Sequence, residues 1–344
     1  MSLPVDDEED KLSVGEVEEK QAKDIVPEDV IDLSDTSVEV CFRDIAHSKF
    51  CKDLSGVQEL EYIGTTGKKI TQLTGLDSFK HLKSLNLRSN LIRDIECLDG
   101  MTELTYLELY DNCIHRMRDI AKATKLETLD VSYNRMRRIR CLDAMKELHT
   151  LYFAANKLES LAGLEGCKAL RLLDVGMNRL RDASGISHLT GLQQLWLGKN
   201  KLQAVPDFGT LTQLTHLSLQ SNRLTEIGSG LASCVNLEEL FLSHNAIVKM
   251  ENLSTLTKLR VLDLTHNKIS QIEDVEECKD LEDLWLSENE IASWEGVALP
   301  TLAALGKLDT IYLEHNPVAK EFDYRMKLKA GVPSLVQIDA TPCR

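Results

Sequence analysis

The hexapeptide LWLGKN at 195–200 is one of eleven copies of a single pattern in the chain. The others are LNLRSN, LELYDN, LDVSYN, LYFAAN, LDVGMN, LSLQSN, LFLSHN, LDLTHN, LWLSEN and IYLEHN. Their closing asparagines are Asn90, Asn112, Asn134, Asn156, Asn178, Asn200, Asn222, Asn245, Asn267, Asn289 and Asn316. Eight of the ten intervals are 22 residues, and the others are 23 and 27. Twenty-two residues cannot enclose a core. Units of that length bury their leucines only by stacking on one another, so the period itself demands an open solenoid with a core running along its length.

This spacing resembles the leucine-rich repeat, LxxLxLxxNxL. The expectation is an α/β fold: a right-handed, curved solenoid of about twelve repeats. It would have a parallel sheet on the concave face, short helical or 3-10 segments on the convex face, and a cap at each end. A degenerate first unit is expected around Ile63 to Leu73, with Lys68 where asparagine should stand. The ladder asparagines are read as structural, since an amide at the bend can satisfy backbone groups left unpaired where each strand ends. The domain reading is an acidic, disordered tail over 1–40, an N-terminal cap over 41–62, repeats over 63–316 and a C-terminal cap over 317–344. In that last cap Tyr324, Arg325, Pro333, Leu335, Ile338 and Asp339 stand at the positions the repeat family's cap uses.

Alternation within a strand sends the residue between the two leucines to the concave solvent face. That column reads Asn86, Glu108, Asp130, Tyr152, Asp174, Trp196, Ser218, Phe241, Asp263, Trp285 and Tyr312. Five of these eleven are aromatic in a chain that is 5% aromatic, and every charged member is an acid. Rings in register with carboxylates on an exposed sheet point to a protein-binding surface: the rings anchor, and the acids steer a partner with basic groups. Asp283 and Glu239 add acid beside the aromatic strands. Trp294 falls on a return segment and is expected in core or convex packing.

Charge divides the chain unevenly. Residues 1–40 hold fourteen acids against three lysines, a balance of −11, which leaves −4 of the total −15 for the other 304 residues. The tail is too poor in apolar residues to fold by itself. No apolar run reaches the roughly 18 residues of a membrane span, and the start lacks a secretory pattern, so a soluble intracellular protein is expected. The nine cysteines form no CxxC pair, which argues against zinc and against a disulfide framework. Cys167, Cys234 and Cys278 each precede a repeat leucine by three and read as small buried side chains.

Catalytic constellations are missing from the sequence: it has no phosphate loop, dinucleotide fingerprint, HExxH or GxSxG. His244, His266 and His315 each precede a ladder asparagine; with no carboxylate or cysteine expected at that column, they are read as turn residues. The expectation is a non-enzyme without cofactor or metal. The acidic open face disfavours nucleic acid, and no membrane partner is expected.

Beyond the superfamily, the ordered run LELYDN, LDVSYN, LWLGKN, LSLQSNRLTEI, LFLSHNAI, LDLTHNKI, ENEIASWEGV, IYLEHNP and DYRMKLKAGVPSLVQIDAT resembles the leucine-rich-repeat regulatory subunits of type-1 serine/threonine protein phosphatase. The resemblance covers nearly all of residues 60–342. It implies a nuclear and cytoplasmic protein whose concave face binds the phosphatase catalytic subunit, and it leaves room for a further phosphatase inhibitor protein as partner. Carried over strand by strand, the family's contacts fall on Asp130, Tyr152, Asp174, Trp196, Asp263, Asp283, Trp285 and Tyr312; alternation adds Phe241. Tyr152 and Trp196 stand where the family usually has Phe, and Asp174 and Asp283 where it has Glu. The alternative is a cytoskeletal or axonemal scaffold binding dynein- or tubulin-related partners, since the 22-residue repeat also resembles that of dynein-associated and tubulin-cofactor proteins.

Overall fold

The structure is a computed structural model that describes residues 30–32, 56–66, 69–73, 76 and 79–343. Twelve three-residue strands, from Glu59–Glu61 to Thr310–Tyr312, lie parallel and in sequence order in one sheet. Each repeat leucine pairs with its counterpart, as Leu173, Leu195 and Leu217 do. The centre of every one of these strands is fully buried, and the residues on either side are mostly half-buried. Leucine, isoleucine and valine from successive turns thus form one continuous apolar column rather than a set of separate cores.

The asparagines lock one turn to the next. Asn200 donates its Nδ2 to the carbonyls of Val175 and Leu197, at 3.0 Å each, and its Oδ1 accepts from the Leu180 amide at 3.0 Å. Asn178 and Asn289 repeat this arrangement within their own turns. The residue before every ladder asparagine, from Ser89 to His315, sits at a φ between 52° and 63°. That left-handed conformation costs a side-chain-bearing residue on the order of 1 kcal/mol, and eleven of them in a row persist because the buried amides over-determine the bend.

The first turn differs from its expected position. Leu60 pairs with Leu85, five residues before Asn90, so the strand begins at Glu59 rather than within 63–73. The asparagine position falls on Thr65, not Lys68, which lies outside the described residues. Tyr62 takes the place of the second leucine and is buried. Val30–Asp32, within the segment read as a structureless tail, forms a strand parallel to Glu59–Glu61. The remainder of that tail, and residues 41–55 of the expected N-terminal cap, lie outside the described residues.

The convex side carries few helices, all short, in keeping with the expected short helical and 3-10 segments. Short 3-10 turns stand at Ile120–Lys122 and Ser184–Ile186, and helices α1 (Trp294–Val297) and α2 (Leu299–Ala303) occupy the 27-residue unit. Other return segments run as isolated turns such as Met145 N to Leu142 O, 3.0 Å. The reason is their period: Ile139, Leu142, Met145 and Leu148 are buried at every third position, and a 3.6-residue helix cannot keep that face inward. Cys167, Cys234 and Cys278 are fully buried on this side, and burial pushes their thiols up to about 12, 11 and 12.

At the C-terminal end, α3 (Tyr324–Gly331) covers the last turn. Asp339, one residue beyond Ile338 and in register with Tyr312, accepts at its Oδ1 from the amides of Leu313 and Glu314, at 2.8 and 3.0 Å. Arg325 ties α3 to the Ile338 carbonyl at 2.6 Å. Trp294 packs against the core on the convex side, donates to Glu321 at 2.6 Å and lies under Lys327, matching its expected place. Among the described residues no helix is long and apolar enough to cross a membrane.

Candidate functional site

The last residue of each strand, between the two repeat leucines, faces the concave side, but the nine candidate residues form two groups rather than one stripe. Asp130, Tyr152, Asp174 and Trp196 come from four adjacent strands. Together with Tyr110, Tyr133 and Met177 they line an open groove of about 410 Å³. Its floor is low because Ala154, Gly176 and Gly198 stand one residue beyond Phe153, Val175 and Leu197, the second buried apolar residues of their turns. A Cβ at Gly198 would lie 3.0 Å from Gln220 Cγ and 3.3 Å from Ser218 Oγ, so a side chain there closes part of the space.

Phe241, Asp263, Trp285 and Tyr312 make the second group, from strands paired in register. Trp285 is its centre: its ring is 6.5 Å from Phe241 and meets Tyr312 edge-on at 6.2 Å. Tyr312 is fixed by Gln337, whose Nε2 donates to its hydroxyl at 2.6 Å. The Trp285 indole N–H is buried without a hydrogen-bond partner of good geometry. Asp283, two residues before it on the same face, has its carboxyl pushed up by burial, against the opposing pulls of Thr310 and Trp285.

Two expectations change here. The aromatic rings do not stand free in water: Tyr152, Trp196, Phe241, Trp285 and Tyr312 are all half-buried, because side chains on strands only one spacing apart cover each other's flanks. Asp263 is no steering group, being 7% exposed between the strands of Phe241 and Trp285. Its Oδ1 accepts from the Thr265 amide at 2.9 Å. Asp130 does the same for Ser132 at 2.7 Å and Asp174 for Gly176 at 2.8 Å. The column acids therefore hold the chain as it leaves the strand, as short side-chain acceptors do in turns. Asp130 and Asp174 are accessible from the groove, and burial raises both carboxyls above their ordinary range.

Sequence alternation missed the groove's wall. Tyr133 and Met177, both 43% exposed, stand at the left-handed position before their asparagines, and Tyr133 Oη reaches Met177 Sδ at 4.0 Å. Tyr110 stacks on Tyr133 at 4.8 Å with the Arg88 guanidinium 4.3 Å above it. The column preceding the asparagines, read as the central column was, contains both residues. That column also corrects the histidine reading: Glu288 occupies it between His266 and His315, so a carboxylate does join them. His266 Nδ1 is 2.8 Å from Glu288 and its ring 4.7 Å from His244, and the His266 hydrogen bond holds the Glu288 carboxyl below its usual range. Among the described residues no group of three or more histidine, cysteine or acidic side chains is placed to hold a metal.

A family model described as "Leucine Rich repeats (2 copies)" matches residues 212–256, 235–277 and 257–299. Among solved structures, an internalin (InlF) of Listeria monocytogenes is 23% identical with a TM-score of 0.68, over 88% of this chain and 94% of that one. A leucine-rich-repeat protein of Leptospira interrogans is 23% identical with a TM-score of 0.68, over 83% and 78%. The ectodomain of the plant receptor kinase GASSHO1/SCHENGEN3 from Arabidopsis thaliana, solved with CASPARIAN STRIP INTEGRITY FACTOR 2, is 21% identical with a TM-score of 0.57. That match covers 76% of this chain and 36% of the ectodomain. No curated protein matches the chain as a relative by sequence. At these identities the likeness carries the solenoid fold alone, and the matched family model is a repeat module, not an enzymatic family.

Proposed function

Taking the chain as a leucine-rich-repeat solenoid, we propose that it is a non-catalytic scaffold whose concave sheet docks the catalytic subunit of type-1 serine/threonine protein phosphatase. In doing so it would control that enzyme's assembly, targeting or activity in nucleus and cytoplasm. The observation that carries the reading is the pairing of two aromatic-acid clusters on one continuous sheet, four strand steps or ~19 Å apart between Trp196 and Trp285. Two anchors at that separation suit a globular protein surface better than a small ligand, which would need one enclosed pocket.

The choice of partner is supported by the ordered resemblance of the repeats and by the eight residues it carries over, all of which lie in the two clusters. Trp196 and Trp285 are the anchors in this reading. Asp130, Asp174 and Asp283 face basic groups of the partner, while Asp263 supports the strand between Phe241 and Trp285. The test is affinity capture with the purified chain as bait. Recovery of the phosphatase catalytic subunit supports the proposal. Recovery of tubulin or dynein chains without it overturns the proposal in favour of a cytoskeletal scaffold.

A further inference from the structure

The chain carries −15 overall, yet one region of its surface is strongly basic. Arg116 and Arg118 flank buried Met117, and on the next turn Arg138 and Arg140 flank buried Ile139. In an extended segment the two neighbours of a buried residue both face outward, so successive turns throw these four guanidinium groups to one side, with Arg137 beside them. All five are exposed. They line two adjoining grooves of about 390 and 610 Å³ that share Arg137, Arg138 and Arg140. A two-residue parallel ladder, Asp94–Ile95 against Arg116–Met117, holds the first of these segments in place.

Nothing in the described residues neutralises this cluster: none of the five arginine side chains makes an ion pair or hydrogen bond there. The neighbouring acids are few. Asp94 lies 4.0 Å from His115, Asp119 bonds the Cys97 amide at 3.0 Å and lies 3.4 Å from Lys122, and Glu159 stands on the second groove's rim. Unpaired guanidinium groups packed together repel one another and are suited to bidentate capture of carboxylate or phosphate.

We infer that this arginine groove is a docking site for the chain's own acidic N-terminal segment, residues 1–29. Three features select that occupant. The segment holds eleven acids against three lysines, opposite in sign to the groove. It joins the described fold at Val30, on the strand that edges the sheet beside Glu59–Glu61, three to four strand steps or ~14–19 Å along the solenoid from the arginine turns. Twenty-nine residues of random chain have an r.m.s. reach of ~30 Å, longer than that separation along the solenoid. The concave face, lined by Glu108, Asp130, Asp174 and Asp283, repels the same segment, so the tail settles away from the partner-binding sheet. This inference is independent of the partner proposed above.

The experiment follows a fluorescein-labelled synthetic peptide of residues 1–29 by anisotropy as it is titrated with two full-length proteins. One is the intact chain, and the other carries Asp6→Asn, Asp7→Asn, Glu8→Gln, Glu9→Gln and Asp10→Asn. A tethered tail acts at millimolar effective concentration, so the intact chain competes with the peptide, and the neutralised chain binds it at least about tenfold more tightly. Adding Arg137→Ser, Arg138→Ser and Arg140→Ser to the neutralised chain abolishes that gain at an unchanged melting temperature. Arg116→Ser with Arg118→Ser does so from the adjacent turn, which guards against a folding defect in either variant. Equal binding by intact and neutralised chains, or binding that survives both arginine variants, overturns the inference. So does a neutralised chain that ignores the peptide but binds phosphoinositide vesicles or heparin, which would make the groove a site for an external polyanion.

Discussion

The two halves of the concave face solve the same problem differently. Around Trp285 the rings touch one another, Tyr312 is held by Gln337 and the buried Asp263 supports the sheet between them, so the surface is preassembled. Around Trp196 the floor is glycine and alanine, and the walls are Tyr133 and Met177, both well exposed. A preassembled aromatic patch loses little side-chain entropy on binding, whereas an open groove gains its contacts by being filled. The first is suited to anchoring a flat surface and the second to receiving a protruding side chain.

Removing what both halves share has the largest effect. Asn200→Ala deletes the amide that joins the turn of Trp196 to the preceding one, leaves the Leu180 N–H unpaired in the interior and takes one of two donors from the Val175 carbonyl, which keeps Asn178. It is expected to cost about 3 kcal/mol in urea unfolding, and a loss below 1 kcal/mol would mean that the ladder is not what holds the turns together. Trp285→Ala comes next. It removes the ring between Phe241 and Tyr312 and is expected to weaken partner binding by about 2 kcal/mol, or roughly thirtyfold, in calorimetric titration of a folded variant.

Filling the groove separates the halves further. Gly176→Leu places a side chain beside Asp174 and the Gly198 carbonyl; partner affinity should fall about tenfold while the Trp285 cluster stays intact by near-ultraviolet circular dichroism. Asp174→Asn makes the smallest change, since its Oδ1 can still accept from Gly176. The Asp174 carboxyl is raised by burial, so the folded state is favoured with the proton on; that advantage is fully present below the ordinary value near 3.8 and is lost as pH rises from there through the raised folded value. The variant should therefore be more stable than the parent by ~0.5 kcal/mol at pH 7, with the gain gone at pH 3. Melting temperatures at the two pH values provide the check.

Much of the fold was legible because its signals are periodic. The asparagine spacing gives the solenoid, alternation gives the buried and facing sides, and the three-residue buried pattern from Ile139 to Leu148 suits 3-10 turns rather than longer helices on the convex face. The first turn was misplaced because Tyr62 and Thr65 replace the leucine and asparagine on which the reading depended. In the site, the nine residues reach the expected face, but alternation says nothing of lateral contact. It could not tell that Trp285 bridges Phe241 and Tyr312, that Asp263 lies buried between their strands, or that small residues at 154, 176 and 198 open a groove beside Trp196. The left-handed residues before each asparagine escaped notice because a central-strand reading stops short of them.

The central claim is that the two clusters anchor one globular partner independently. Isothermal titration of the type-1 phosphatase catalytic subunit with the intact chain, Trp196→Ala, Trp285→Ala and the double variant tests it directly, with circular dichroism verifying each fold. At ~19 Å apart the two losses should add within about 0.5 kcal/mol, leaving the double variant without measurable binding. Undiminished binding by a folded double variant, or no binding by the intact chain, would contradict the account.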